Sequence, residues 1–494
     1  VGESVLHGKA ALFFRKAVIC SVKDVCWSSA LELGKAIKKR EISPVEVLQC
    51  YLERIEKINP QVNAIVTLTD ELARKQAQKG EEDLIKGRPL GALHGIPVIL
   101  KDNIYTHGIR TTFGSRLFEN FIPDSDAVLV ERLKNAGAII LGKSNMPEFG
   151  LIPITDNLLF GSTQNPWDIK KTSGGSSGGS AAGVAAGMCP ISIGNDAAGS
   201  IRIPASLCGI YGFKPSFGRV PSYPRRPGWE TLIHEGPMAG TVVDAAITLE
   251  VIAGPDERDR HTLPGADSDY FSKLKRGVNG LTAAYSHDLG YAVVEPEIKN
   301  LAYRAALVLE DLGCRVEEIK PNLPDMLNAL ETITITNVIT ANERHLDKWK
   351  EVVYPGYQYI FTKIFDIANK DLVRDQFIRE QVLWEEVRKI FDRFDLLLTP
   401  TCAVAAFQSG KGGPIGPPKI DNKEVSDLFW TSLTDPFNFT GQPAASIPCG
   451  FTEKGLPVGL QIIGRRFGDH TVLQASAALE EALPWQKRRP PLQV

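Results

Sequence analysis

The sequence lacks the features that would point to a metal site, a membrane span or a disulfide scaffold. None of its 8 cysteines sits in a Cys-x-x-Cys pair and its 8 histidines are scattered, so no spacing matches a zinc site. Such cysteines read as small buried hydrophobes, and their usage suits a reducing compartment. A cytoplasmic location is the expectation, and no metal or cofactor is expected. No apolar stretch reaches the roughly 18 residues that a spanning helix needs. Lys/Arg runs are missing as well: Lys plus Arg is 56 against 58 for Asp plus Glu, a net charge of −2. No whole-chain field draws the protein to nucleic acid or to an acidic membrane surface, and direct nucleic-acid binding is not expected.

What is present is enough apolar character to build a large core. At 43% hydrophobic over 494 residues, a disordered chain is excluded. The apolar pieces at 10–14 and 17–20 are split by Arg15 and Lys16, and no small-residue cleavage site follows, so a secretory signal is not expected. Residues 1–27 read as an N-terminal extension of open status, and 28–494 as a single domain.

The body opens with two helix starts. Ser29-Ala30-Leu31-Glu32 and Ser43-Pro44-Val45-Glu46 both read as capping boxes, the second with Pro44 at the first helical position. Asn59-Pro60 is expected to stop that helix. From about residue 95 the pattern changes to short apolar runs at 96–100, 138–141, 191–193, 395–398, 444–448 and 460–463. Helical stretches such as 127–136 and 371–393 lie between some of them. This alternation predicts an α/β fold with a largely internal sheet. The Gly/Pro-rich stretch 410–418 is a loop within the domain, with a lid as one reading.

Three glycine-rich motifs compete for the chemistry. Gly137-x-x-x-x-Gly142-Lys143-Ser144 matches a phosphate-binding loop literally, but its interior, Ala138-Ile139-Ile140-Leu141, reads as a strand. Gly175-x-Ser177-x-Gly179 matches a nucleophile elbow, with His470 late enough to serve as base. The preceding residues 165–172 are polar and turn-forming, where an elbow needs a strand. The third is Gly194-Asn195-Asp196-Ala197-Ala198-Gly199-Ser200-Ile201-Arg202, after a short strand. Backbone amides of Ala197, Ala198, Gly199 and Ser200 in a tight turn can converge where negative charge develops, which makes an oxyanion hole. Ser200 then sits beside that point. With no histidine near, a buried lysine of lowered pKa can take its proton. Lys101 ends the apolar run 96–100 and is the best candidate.

These residues resemble the amidase signature family, and the likeness covers about residues 28–490. It rests on the ordered set 95–103, 142–149, 172–183 and 196–206, then Cys208-Gly209-x-x-Gly212-Phe213-Lys214-Pro215-Ser216-x-Gly218-Arg219-Val220. Phe437-Asn438-x-Thr440-Gly441-x-Pro443 and Gly455-Leu456-Pro457-x-Gly459-Leu460-Gln461 complete it. The resemblance implies a mixed β-sheet covered by helices on both faces and a Ser/cis-Ser/Lys triad. Ser200 falls on the nucleophile, Ser176 on the bridging serine after a cis peptide, and Lys101 on the base. Asp196 and Arg202 flank the nucleophile and fix its loop, and Ser177 helps to orient Ser176. One departure stands out. Where the family commonly has Gly, this chain has Ala198, and Ala197 replaces the usual Thr or Gly; the added methyls predict a preference for small acyl groups.

The implied activity is hydrolysis of small or aryl carboxylic amides through a seryl acyl-enzyme, with esters and carbamates open to the same machinery. The alternative is a glutaminase-like subunit of a tRNA-dependent amidotransferase. That subunit often has Gln after the signature arginine, whereas this chain has Ile203. A silent binding scaffold fits poorly, because all three triad residue types are present. The expected partner is a small-molecule amide, with a homodimer left open. Pocket residues are expected near 146–152 and within 300–445, with apolar residues of 333–360 as lining or core.

Overall fold

The computed structural model describes residues 22–224, 231–265, 269–367, 369–410 and 412–493. The N-terminal apolar pieces at 10–14 and 17–20 lie outside the described residues. The first described helix, Val22–Trp27, packs against the helix Pro44–Val62, so contact with the domain begins before residue 28.

Both helix starts form as the sequence predicts. Ser29 and Ser43 each accept from the backbone of the glutamate three residues on, and that glutamate reaches back to the serine's own N–H. The stop at Asn59-Pro60 is not where the helix ends. Pro60 lies inside the last turn, and the chain turns at Asn63, which adopts φ 53°. The Asn59 carboxamide explains the late end: its oxygen accepts from the amides of Ala64 (3.0 Å) and Ile65 (2.9 Å), tying the turn together.

Eleven strands form one mixed sheet. In chain order they are β1 (Ile65–Leu68), β2 (Pro97–Lys101), β3 (Ile139–Ser144), β4 (Ile191–Asp196), β5 (Tyr211–Lys214), β6 (His234–Ala239), β7 (Thr282–Tyr285), β8 (Arg315–Glu318), β9 (Leu396–Pro400), β10 (Ala444–Phe451) and β11 (Pro457–Gly464). Their spatial order is β1-β3-β2-β4-β6-β5-β10-β11-β9-β7-β8. β2 runs parallel to both β3 and β4, whereas β4, β6, β5, β10, β11 and β9 are antiparallel in succession. Helices pack against this sheet, so the α/β reading around a mixed sheet holds. β2, β3, β4, β9 and β11 are buried along their whole length, which is why they read as continuous apolar runs without alternation.

The phosphate-loop match dissolves in this architecture. Gly142, Lys143 and Ser144 are the end of β3, inside the sheet. The segment expected to be all turn before the glycine-rich stretch differs from expectation. Asp168–Thr172 pairs with Gln164–Asn165 as a separate two-stranded ribbon outside the main sheet. His470 is the second residue of the helix Asp469–Ala482 and lines neither of the cavities described below.

Candidate active site

Two neighbouring central strands end at the same place. β2 delivers Lys101 as its last residue, and β4 delivers Asn195 and Asp196. Side chains emerging here are flanked by strands on both sides, so Lys101 is wholly buried. The third contributor is the turn before the helix Gly178–Ala185, which carries Ser176 and Ser177. Its glycines are required by close approach. A Cβ on Gly175 would sit 2.8 Å from the Ile154 backbone, and one on Gly179 would sit 2.4 Å from the amide of Asn145. The stretch is therefore a packed turn, not a linker. The peptide Gly175–Ser176 is cis.

Lys101 Nζ lies 2.7 Å from Ser176 Oγ, 2.7 Å from Asn195 Oδ1 and 3.3 Å from Asn195 O. Burial brings the lysine pKa down to about 7, against the opposing pull of Glu235 and Asp196. A neutral amine has two N–H groups and one lone pair. As an ammonium, Lys101 donates to Ser176 Oγ and to both Asn195 oxygens; once neutral, it can keep its two N–H groups on Asn195 and offer the lone pair to the Ser176 hydroxyl. Asn195 is in turn fixed by its own amide, which donates to Asn103 Oδ1 at 2.9 Å. Ser177 donates to Asn195 O at 3.2 Å, so it braces the lysine's partner and makes no bond to Ser176 itself.

Ser200 is half-buried, whereas Ser176 is buried, so of the two hydroxyls Ser200 is the more accessible to a substrate. No hydrogen bond joins them in this structure. The loop around Ser200 is held from both ends: the Ser177 amide donates to Ser200 O at 3.2 Å, and Thr434 Oγ1 donates to Ala198 O at 2.7 Å. The expectation of four convergent amides is narrowed here. The Gly199 N–H is taken by Asp196 Oδ1 at 2.6 Å, because the carboxylate sits beneath the turn. Among the described residues, the amides of Ala197, Ala198 and Ser200 donate to no protein group. Ala197 and Ala198 keep negative φ, so their methyls strain nothing.

Asp196 and Arg202 form a buried ion pair at 2.9 Å, both side chains fully enclosed. Burial opposes ionisation of Asp196, but the Arg202 guanidinium outweighs it and holds the carboxyl far below the usual carboxylate range. The carboxylate also accepts from the Ile201 amide (3.1 Å) and Asn438 Nδ2 (2.8 Å). Arg202 spends its remaining donors on Thr434 O (2.8 Å), Gln461 Oε1 (2.6 Å) and Asn438 Oδ1. The pair thus pins the Ser200 loop to the segment 434–438 and to β11. Sequence reasoning assigns no roles to Asn195, Thr434, Asn438 and Gln461. Asn438 and Gln461 lie inside the C-terminal motifs, whose spacing is the available signal.

Two cavities meet at Ser200. Gly150, Ala197 and Ser200 line both. The first also has Ser176, Asn103, Asn195, Tyr105 and Phe113 on its wall. The second has Ala198, Ile152, Leu330, Ile335 and Ile360 on its wall together with Glu331, Thr334 and Tyr357. The helix Leu327–Ala341 spans both, giving Leu327, Leu330 and Ile335 to the second and Val338 and Ala341 to the first. Phe149, Gly150, Leu151 and Ile152, from the 146–152 stretch, and residues of the helix Leu327–Ala341, within 300–445, line these cavities. Among the described residues of the 410–418 loop none lines either cavity; the Gly412 amide donates to Asp156 and Ile415 O accepts from Trp430.

Among the described residues no group of three or more His, Cys, Asp or Glu could hold a metal ion, and no helix is long and apolar enough to cross a membrane.

The amidase family model matches residues 46–473. The acylamidase of Rhodococcus erythropolis is 34% identical, over 95% of this chain and 98% of its own length. A glutamyl-tRNA(Gln) amidotransferase subunit from Moorella thermoacetica is 36% identical, over 95% of this chain and 100% of its own. A bacterial aryl acylamidase of the amidase signature family superposes with a TM-score of 0.88 at 33% identity, covering 93% of this chain and 97% of that one.

Proposed function

The chain belongs to the amidase family, and we propose that it is a self-sufficient amide hydrolase working through an acyl-enzyme on Ser200. The observation that carries this reading is the Lys101 amine, buried, lowered to about 7 and 2.7 Å from Ser176 Oγ at the wall of a cavity shared with Ser200.

In the proposed cycle neutral Lys101 takes a proton from Ser176 as Ser176 takes one from Ser200. This requires the two serine hydroxyls to meet once substrate is bound, and hydrogen bonds of this kind commonly tighten only in the Michaelis complex. Ser200 Oγ then attacks the carbonyl carbon. The oxyanion is held by the amides of Ala197, Ala198 and Ser200, donors fixed before reaction by the Asp196–Arg202 pair and by Thr434. Collapse breaks the C–N bond, the nitrogen leaves with a proton from Ser176, and Lys101 returns its proton to Ser176. Water, deprotonated through the same Ser176–Lys101 pair, attacks the acyl-enzyme and releases the acid. The same sequence accommodates esters and carbamates.

Two kinds of relative, an acylamidase and a component of an amidotransferase, are similarly close to this chain. What favours the hydrolase is Ile203, which stands where the amidotransferase subunit often has Gln and lines the largely aliphatic second cavity. The test is hydrolysis of para-nitroanilides and of glutamine by the purified chain, with Ser200→Ala as control. Anilide turnover that vanishes in the control supports the reading. Turnover of glutamine alone, and only with added partner subunits, overturns it.

A further inference from the structure

We propose that the second cavity receives the acyl group and the first receives the leaving amine, so that this chain selects amides of extended apolar acids. The inference rests on the hydrolase reading above and adds a substrate class to it.

The assignment follows from where the proton donor stands. When the C–N bond breaks, the nitrogen must take a proton from Ser176, and a donor has to be within hydrogen-bond reach of the atom it serves. Ser176 lines the first cavity and is absent from the wall of the second. The amine is therefore on the side of Ser176, Asn103 and Asn195. The acyl carbon, bonded to Ser200 Oγ, must extend the other way. Ala198, one of the two alanines in the turn that faces the oxyanion, lines only the second cavity. Water for the second half of the reaction enters the space that the amine has left, next to Ser176, while the acyl group stays seated.

The two walls differ in chemistry. Leu327, Leu330, Ile335 and Ile360 give the acyl side an aliphatic surface. Ile203 and Ile152 extend it to the edge of the Ser200 loop. A hydrocarbon chain gains by leaving water there. Glu331, Thr334, Thr431, Tyr357 and Tyr359 share the wall but are outnumbered by apolar side chains, and Glu331 is already paired with Lys363. The amine side combines Asn103 and Asn195 with the rings of Tyr105 and Phe113, which meet edge-on at 5.9 Å between centroids. That wall suits a planar amine with a hydrogen-bonding edge. The Ala198 methyl, from which the sequence predicts a small-acyl preference, forms part of the acyl wall, and the cavity continues past it to Leu330 and Ile335.

The experiment uses acetyl, butyryl and hexanoyl amides of one aryl amine with the full chain. The expected kcat/KM rises with acyl length, by up to about fourfold per methylene. Leu330→Trp should lower hexanoyl turnover at least tenfold relative to acetyl. Leu330→Ala, which only enlarges the cavity, should move the optimum to a longer acyl chain. Val338→Trp, on the amine side, should instead lower tolerance of bulky amines and leave the acyl ranking intact. A flat acyl profile, or one moved by Val338→Trp and not by either Leu330 variant, overturns the assignment while leaving the hydrolase standing. Failure to hydrolyse any amide or ester overturns the hydrolase reading itself, and the assignment with it.

Discussion

Replacing Asn195 with Asp places a carboxylate where a carboxamide now sits, 2.7 Å from Lys101 Nζ, with almost no change of shape. The wild-type lysine has its pKa lowered from 10.5 to about 7, chiefly by burial. That shift corresponds to roughly 5 kcal/mol of bias against the charged form. Activity that needs the neutral amine should fall about tenfold per pH unit below that point and level off above it. In Asn195→Asp the new negative charge favours the ammonium. At an effective dielectric near 20 the attraction across 2.7 Å is about 6 kcal/mol, partly offset by desolvating the carboxylate. An upward shift of about 1–3 units is expected. At pH 7, kcat/KM should drop by about 5- to 500-fold and recover on the alkaline side. The assay is a pH profile of kcat/KM on one anilide. A profile scaled down at every pH, with its acid limb still near 7, would refute the claim that Asn195 touches the working base.

Other outcomes follow from the same geometry. Ser176→Ala removes the hydroxyl that carries protons between Lys101 and Ser200 in the proposed cycle, and should cost about 10²–10⁴ in kcat with the melting temperature little changed. Arg202→Met strands the buried Asp196 carboxylate; denaturant unfolding should show a loss of about 3–5 kcal/mol. Gly199→Ala, at φ 120° and with its Cβ 2.2 Å from Thr434 Oγ1, should displace the Ser200 loop and depress kcat more than it raises KM.

Much of the site is legible in the sequence because its parts have separate local causes. Lys101 ends a run of apolar residues, and a residue at the end of a buried central strand is enclosed by its neighbours. The glycines at 175 and 179 stand against the backbone of Ile154 and Asn145, so only glycine fits. The Asp196–Arg202 pair is legible as two charges flanking a turn. What stays hidden depends on long-range contacts. Asn195 lies beside Asp196 in the chain, yet its role needs Lys101, 94 residues away. Thr434 and Gln461 reach Arg202 across more than 230 residues. That the Gly199 amide donates to Asp196 depends on which way one amide points, which spacing does not encode. Pro60 sits inside a helix against the sequence rule because that rule is local, whereas the Asn59 carboxamide holds the later turn. The second cavity takes part of its wall from the helix Leu327–Ala341, whose apolar residues could equally have packed a core.

The central claim is a covalent intermediate on Ser200, and rapid-quench peptide mass spectrometry tests it most directly. The full chain is mixed with a hexanoyl ester that acylates quickly and is quenched in acid within the first turnover. The account predicts a hexanoyl mass increment on the peptide that carries Ser200, absent from Ser200→Ala and reduced at pH values below about 6, where Lys101 is mostly protonated. An increment on Ser176 or on another residue, or steady turnover with no acylated peptide at any time, would contradict it.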